Sequence, residues 1–192
     1  GIGFAACKSG TATLLNNRVI DNAAVAVGIG TGWTVRLSGN ELSREGGMPP
    51  IVMVSKGAKA VFFHNVIRGG GVAGIRAAGK VRADDNTFQG TALRRVGPPN
   101  FAIWALPGAA VMLTGNVFQG WRHALQADGA RVDAINNTVR NFHGAGFMIK
   151  NPSKPANLYG NTVFSANPKD RALTLDGAAG VIRDNTLKEP RQ

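Results

Sequence analysis

Two histidines lie about one repeat apart in a basic part of the sequence. His123 occurs in GWRHAL and His143 in NFHGAG, and Arg122 directly precedes His123. A neutral imidazole can accept a proton near neutral pH, and an arginine can neutralise a carboxylate. These groups suit removal of a proton next to a uronate carboxylate, as in a lyase or an epimerase. His123 and His143 are therefore the candidate catalytic residues; the alternative is a plain surface role on turns.

A second group of side chains has the chemistry of a carbohydrate-binding surface. An exposed indole can stack on a sugar ring or a base, or fill a protein interface. Guanidinium groups form paired hydrogen bonds with carboxylates. The candidate substrate-binding residues are Arg76, Arg94, Arg95, Trp104 and Arg122. The alternative for the indole is that the segment RRVGPPN, at 94–100, folds over it.

The elements that must position these residues are indicated by an asparagine that recurs every 21 to 30 residues. An apolar residue stands two positions after and three positions before every copy. Self-similarity at such a period is the signature of a repeat architecture. The anchors are Asn17, Asn40, Asn65, Asn86, Asn116, Asn137, Asn161 and Asn185.

A period near 23 residues fits two architectures, the leucine-rich repeat and the parallel β-helix. The leucine-rich repeat needs a leucine eight residues before the asparagine, where this sequence has only Gly, Ser or Ala. The segments after the anchors also lack a helical period. Each repeat instead divides into three short strands separated by turns. The sequence therefore predicts an all-β, right-handed parallel β-helix (solenoid) of about eight coils of three short strands.

The anchors have a structural interpretation in this fold. An asparagine amide has a donor and an acceptor, so stacked copies can hydrogen-bond along the solenoid and satisfy backbone groups at a bend. Asparagine also tolerates the left-handed backbone that a bend needs. We therefore expect the anchors to be scaffold, with each one at the bend between the second and third strands.

The pattern resembles the right-handed parallel β-helix of the pectate-lyase-like superfamily, whose repeats also occur in carbohydrate-binding and sugar-hydrolase families. The phrases DNTF, GNVF, NNTV, GNTV and DNTL carry the resemblance, together with the small residues eight positions before the anchors. It covers nearly all of 1–189. It implies the fold and no particular activity, because no catalytic motif of the family is matched.

The resemblance also gives a meaning to two insertions after third strands, SREGGMPP at 43–50 and TALRRVGPPN at 91–100. In the resembled families, loops at this turn flank a groove over the first sheet and shape the substrate site. The outward side chains of the first strands should line that groove. They are Met53, Arg76, Trp104, Gln126, Met148 and Thr174.

Composition restricts the partners. The net charge of +11 favours a polyanion, such as an acidic polysaccharide, a nucleic acid or a membrane surface. Nucleic acid is the least favoured of these because no nucleic-acid-binding motif occurs, and a merely basic soluble protein is the alternative. No apolar run approaches about 20 residues, which predicts no membrane span. No zinc-ligand spacing or nucleotide-binding loop is visible, so we predict no metal and no cofactor.

The 192 residues are interpreted as a single β-helix domain over 1–192. The opening segment GIGFAACKSG aligns with GVAGIRAAGK at 71–80, so the sequence starts at a first strand with no cap before it. An uncapped coil exposes strand edges and core residues. We therefore expect a fragment of a longer protein that lacks its N-terminal coils or cap, unless a partner covers this end.

Two functional hypotheses follow. The first is recognition, and processing of lyase or epimerase type, of an acidic polysaccharide along the first-sheet groove; it favours an extracellular or periplasmic location. The second is a non-catalytic structural or interaction module. In that case Met53, Trp104 and Met148 form a protein interface, for example in a homo-oligomer.

Overall fold

A computed structural model describes residues 1–45, 47–91, 100–165 and 167–188. The chain winds through 24 strands that form three parallel sheets of eight strands each. Every strand pairs in parallel with its equivalent in the next coil. The predicted all-β parallel β-solenoid with three short strands per coil is confirmed, and its seven steps between eight stacked strands are close to the predicted eight coils. Within the described part of the chain, no helix is long and apolar enough to span a membrane.

The strands of one coil belong to three different sheets. The first sheet contains β1 (Ile2–Phe4), β4 (Val27–Ile29), β7 (Val52–Val54), β10 (Ala73–Ala77), β13 (Phe101–Ala105), β16 (His123–Asp128), β19 (Ala145–Lys150) and β22 (Arg171–Asp176). The second contains β2 (Gly10–Leu15), β5 (Trp33–Ser38), β8 (Lys59–Phe63), β11 (Lys80–Asp84), β14 (Ala110–Thr114), β17 (Arg131–Ile135), β20 (Ala156–Tyr159) and β23 (Ala179–Arg183). The third contains β3 (Arg18–Val19), β6 (Glu41–Arg44), β9 (Val66–Gly69), β12 (Thr87–Gly90), β15 (Val117–Gln119), β18 (Thr138–Arg140), β21 (Thr162–Phe164) and β24 (Thr186–Lys188).

The core is a set of apolar columns that run along the solenoid axis. In the central coils, the apolar residues two positions after and three positions before each anchor are buried. Phe88 and Phe118, for example, stack with their ring centroids 4.7 Å apart. Alternation along each strand places one set of side chains inside and the other outside. The outer faces of the sheets are therefore rigid, regular surfaces whose side chains can form binding sites.

The anchors form a continuous asparagine ladder. From Asn40 onwards, the Oδ1 atom of each asparagine accepts hydrogen bonds from the backbone N–H and the Nδ2 group of the asparagine one coil before it, at 2.8–3.0 Å. The Nδ2 group also donates to a backbone carbonyl of the preceding coil, as from Asn116 to Ala83 at 2.7 Å. The stacked side-chain amides that the sequence predicts are thus present, and they satisfy polar groups that the bend would otherwise bury.

The left-handed backbone lies one residue earlier than the sequence interpretation placed it. The residue before every ladder asparagine has a positive φ, between 52° and 66°, and the asparagines themselves do not. The eight left-handed residues are Asn16, Gly39, His64, Asp85, Gly115, Asn136, Gly160 and Asp184. The bend therefore divides two tasks between neighbours: the asparagine makes the ladder hydrogen bonds, and the residue before it makes the left-handed turn.

His64 gives a test of this assignment, because it is the one left-handed residue of the eight that is neither Gly, Asn nor Asp. A β-branched side chain at φ 52° is strained by about 1–2 kcal/mol, whereas asparagine adopts this region readily. We expect His64→Val to lower the free energy of unfolding by about that amount and His64→Asn to leave it unchanged or raised. Urea unfolding measures both, and equal stability of the two variants would contradict the assignment.

Candidate functional site

The outer face of the first sheet carries one row of side chains along the whole solenoid. The strand register places six predicted residues in this row and adds two glycines at its start. We call it the outer row: Gly3, Gly28, Met53, Arg76, Trp104, Gln126, Met148 and Thr174. Neighbouring members are about 4.8 Å apart, which is the spacing of hydrogen-bonded strands.

An arginine–tryptophan pair stands at the centre of the outer row. The guanidinium carbon of Arg76 lies 5.4 Å from the ring centroid of Trp104, within the range of a cation–π interaction. Phe101 meets the indole edge-on at 5.8 Å and 75°. Trp104 is half-buried between these neighbours, so its orientation is fixed while part of its surface remains accessible. A fixed, part-exposed indole beside a cation can bind a ring that carries a negative charge.

The glycines at the start of the outer row leave the sheet surface bare. A Cβ atom built on Gly3 or Gly28 would meet nothing within 4 Å, so both face open space. A depression of about 490 Å³ lies here, with Met53 among its lining residues. A flat ring can therefore lie directly against the backbone. The sequence interpretation missed this floor, although continuing the repeat alignment into the first two coils could have found it.

His123 lies beside the outer row and is bonded to it. Its Nδ1 atom is 2.9 Å from the side-chain Oε1 of Gln126, so Nδ1–H donates and the lone pair of the neutral ring is on Nε2. The ring stacks on Phe101 with centroids 5.0 Å apart and is 7% exposed. A Cβ atom on Gly144 would lie 2.8 Å from Nε2, so backbone of the next coil covers that side.

The environment of His123 favours the neutral imidazole. Burial lowers the pKa of His123, and the charge of Arg122 lowers it further, while the hydrogen bond that the ring donates to Gln126 and the carboxylate of Asp170 act in the opposite direction. The net pKa shift is downward. At neutral pH the ring is therefore uncharged, which is the state that a proton acceptor requires.

This shift makes stability depend on pH. In the unfolded chain the pKa of histidine is about 6.5, so below that pH the unfolded state binds a proton that folded His123 resists. The stabilisation is fully present above about pH 6.5 and is lost as the pH falls towards the folded-state pKa. We expect the His123→Gln variant to lose less stability than the wild type between pH 7.5 and pH 5. Chemical unfolding at both pH values checks this, and equal losses would contradict it.

His143 occupies the turn one coil beyond Arg122. Its backbone N–H donates to the carbonyls of Trp121 and Arg122, at 3.2 and 3.3 Å. Its Nε2 atom is shielded and has no hydrogen-bond partner among the described residues. The side chain lines a depression of about 570 Å³ together with Ser165 and Asp170. The imidazole therefore borders this depression, while its Nε2 atom is covered by the surrounding protein.

Asp170 anchors this turn from the inside. Its carboxylate is fully buried and accepts a hydrogen bond from the Ser165 hydroxyl at 2.8 Å. The same hydroxyl accepts the backbone N–H of Asn167 at 3.0 Å. These bonds tie Ser165 to Asn167 and Asp170, so we interpret the Ser165–Asp170 pair as a support for the wall of the depression.

The predicted site residues therefore fall into two adjoining groups. Arg76 and Trp104 are in contact on the outer row, whereas Arg122, His123 and His143 cluster at the turn between the third and first sheets. Gln126 links the groups, since it belongs to the outer row and bonds His123. Arg94 and Arg95 lie outside the described residues, as does most of the segment expected to fold over Trp104.

The shorter insertion is held against the solenoid by a buried arginine. Arg44 is 4% exposed, and its guanidinium donates to the carbonyls of Pro49 and Ala23 at 2.8 and 3.1 Å. Met48, in the same insertion, is 61% exposed.

In the part of the chain that the structure describes, no three His, Cys, Asp or Glu side chains come together as a set of metal ligands.

The fold and this site define the chain as a parallel β-solenoid with a row of aromatic, basic and glycine residues on its first sheet. Comparison of the chain with known protein families, curated proteins and solved structures finds no match.

Proposed function

We propose that this protein recognises an acidic polysaccharide along the outer row of its first sheet. The observation that carries the proposal is the Arg76–Trp104 pair, in which a guanidinium and an indole are held together on an outer face. The indole supplies a stacking surface for a sugar ring, and the guanidinium supplies a partner for its carboxylate. The net charge of +11 adds long-range attraction for a polyanion.

The outer row also suits a polymer in its shape. Beyond Arg76 it continues over Met53 to the bare floor at Gly3 and Gly28, so several sugar units could lie along the axis. On the other side of Trp104 it continues to Gln126, next to the histidine cluster. We propose that a bound chain runs along this row and brings one uronate unit beside that cluster.

Processing of lyase or epimerase type is the second part of the proposal. His123 or His143 would take the proton next to the uronate carboxylate once a bound chain uncovers its imidazole nitrogen, and Arg122 would neutralise that carboxylate. In a lyase, the resulting electron pair forms a carbon–carbon double bond as the glycosidic oxygen leaves. In an epimerase, a proton returns to the opposite face of the same carbon.

We further propose that the chain belongs to the pectate-lyase-like superfamily. Its recurrent asparagine phrases and its three-sheet parallel solenoid support this placement. An extracellular or periplasmic location follows from such a substrate. Activity does not follow from a fold alone, so the proposed function depends on the Arg76–Trp104 pair and the histidine cluster.

The direct test is a calorimetric titration of the protein with oligogalacturonate, compared with the Trp104→Ala/Arg76→Gln variant. The proposal expects binding to the wild type and strong weakening in the variant. Unchanged affinity would refute the binding site. Processing is checked by the ultraviolet absorbance of the unsaturated product and by exchange of the abstracted proton with deuterated water; failure of both with bound substrate would restrict the function to recognition.

The second candidate function is a non-catalytic interaction module, and the apolar members of the outer row favour it. Met53, Trp104 and Met148 lie on one face and could contact another protein chain. Sedimentation separates the candidates: a stable oligomer that a Trp104→Glu substitution dissociates supports the module. A monomer that binds oligogalacturonate supports the polysaccharide site.

A further inference from the structure

A second basic surface lies on the outer face of the second sheet, away from the outer row. It is a groove of about 370 Å³ with cationic side chains around an apolar floor. We call it the basic groove. Its cations are Lys59, Lys80, Arg82 and Arg131, and its floor is formed by Val61, Ala110 and Met112.

The strand register explains how the basic groove forms. Lys59, Lys80, Ala110 and Arg131 occupy the same position in four successive strands. Successive strands are about 4.8 Å apart, so the cations follow the solenoid axis with a gap where the small Ala110 stands. Val61, Arg82, Met112 and Asp133 form the neighbouring row, and Asp133 is the acidic residue in the described lining.

The two lysines do not stabilise the folded protein. Lys59 and Lys80 stand directly opposite each other on neighbouring strands, an arrangement that destabilises a sheet. Neither forms an ion pair or a hydrogen bond with another described residue. A bound anion would offset their repulsion. Anion binding therefore explains the two lysines better than the stability of the unliganded protein does.

Each of the two arginines is bonded to a carboxylate two residues further along its own strand. Arg131 contacts the Oδ2 atom of Asp133 through Nε and Nη2 at 3.1 and 3.0 Å. Asp133 is itself fixed by Asn157, whose Nδ2 group donates to Oδ1 at 2.6 Å. Arg82 contacts the Oδ2 atom of Asp84 through Nε alone, at 2.6 Å. Each guanidinium keeps further N–H groups for a ligand, because a carboxylate partner occupies only one side of the five-donor fork.

We propose that the basic groove is a second binding site for a linear acidic polysaccharide. The aliphatic side chains of Val61 and Met112 can contact the apolar face of a sugar ring, while the surrounding cations bind its carboxylates. Single-stranded nucleic acids bind by stacking bases on aromatic side chains, and the described lining of this groove contains none. The first and second sheets cover different sides of one core, so a protein with both sites would cross-link two polymer chains.

This inference rests on the proposed function for the class of polymer, but its residues are separate from the outer row. The test is calorimetric titration with oligogalacturonate at low ionic strength. The wild type is expected to bind two ligands per chain and the Lys59→Gln/Lys80→Gln variant one, with affinity at the second sheet lowered about tenfold or more. The Arg68→Gln/Arg140→Gln variant removes the same charge from the third sheet and is the matched control, expected to bind two.

The background variant Trp104→Ala/Arg76→Gln makes failures of the two proposals distinguishable. In that background the basic groove should still bind one ligand, and adding the two lysine substitutions should remove it. A ligand number that the lysine substitutions leave unchanged would overturn the second site. Tighter binding of single-stranded DNA than of oligogalacturonate, abolished by the same substitutions, would also overturn it. All six substituted side chains lie on outer faces, so each variant is expected to fold, and thermal unfolding checks this.

Discussion

Replacing Asn116 by alanine is expected to lower the free energy of unfolding by about 4 kcal/mol, because several buried polar groups lose their partners together. Asn116 is fully buried at the centre of the asparagine ladder. Its Oδ1 atom accepts two hydrogen bonds from Asn86, and its Nδ2 group donates to Ala83 and Asn137. Water cannot enter the bend to replace these bonds without separating adjacent coils.

Asn17 supplies the matched control at the first rung of the same ladder. Its amide donates to Asn40, but its Oδ1 atom accepts no hydrogen bond from any described residue. Fewer partners are lost in Asn17→Ala, and the site is half-buried, so the expected destabilisation is about 1 kcal/mol. Urea unfolding of the two variants measures the difference. Equal destabilisation would show that the side-chain bonds of the ladder contribute little.

The second large effect is expected on ligand affinity. The Trp104→Ala/Arg76→Gln variant should bind oligogalacturonate about 100-fold more weakly than the wild type, a loss of about 2.7 kcal/mol. Stacking on one aromatic side chain contributes about 1–3 kcal/mol, and the arginine adds a charge-assisted contact. The arginine contribution should decrease as salt is added, whereas the stacking contribution should persist.

Met148 provides the control for this effect. It belongs to the outer row, two strands beyond Trp104, and truncating it removes apolar area without removing a charge or an aromatic ring. We expect Met148→Ala to change the affinity by less than about threefold. If Met148→Ala and the double variant weakened binding equally, the Arg76–Trp104 pair would not be the centre of the site.

The fold could be predicted from the sequence because its most demanding requirement is repeated. Every coil needs an amide at the same bend, so Asn86 and Asn116 mark equivalent positions although 30 residues separate them. The left-handed position was harder to assign, because Gly, Asn, Asp and His all occur there and share no side-chain chemistry. Only the backbone geometry shows what those residue types have in common.

The sites were less predictable, because they depend on which residues become neighbours across coils. The contact of Arg76 with Trp104 requires a register across 28 residues, and the alternation of the strands was enough to predict that both side chains belong to one row. The burial of His123 could not be predicted, since it results from stacking on Phe101 and from the covering backbone at Gly144. The basic groove could not be predicted from the outward positions of the first strands, because its residues belong to the second sheet.

The asparagine ladder also bears on how such a chain can change during evolution. Each coil bonds only to the coils on either side, and the same amide contact is made at every interface. A tandem duplication or deletion of one whole coil would therefore join two compatible surfaces, whereas a shift of one or two residues would not. Genes for this architecture can consequently lengthen or shorten the rod by recombination within the repeat, and with it the number of sugar units that one molecule could span.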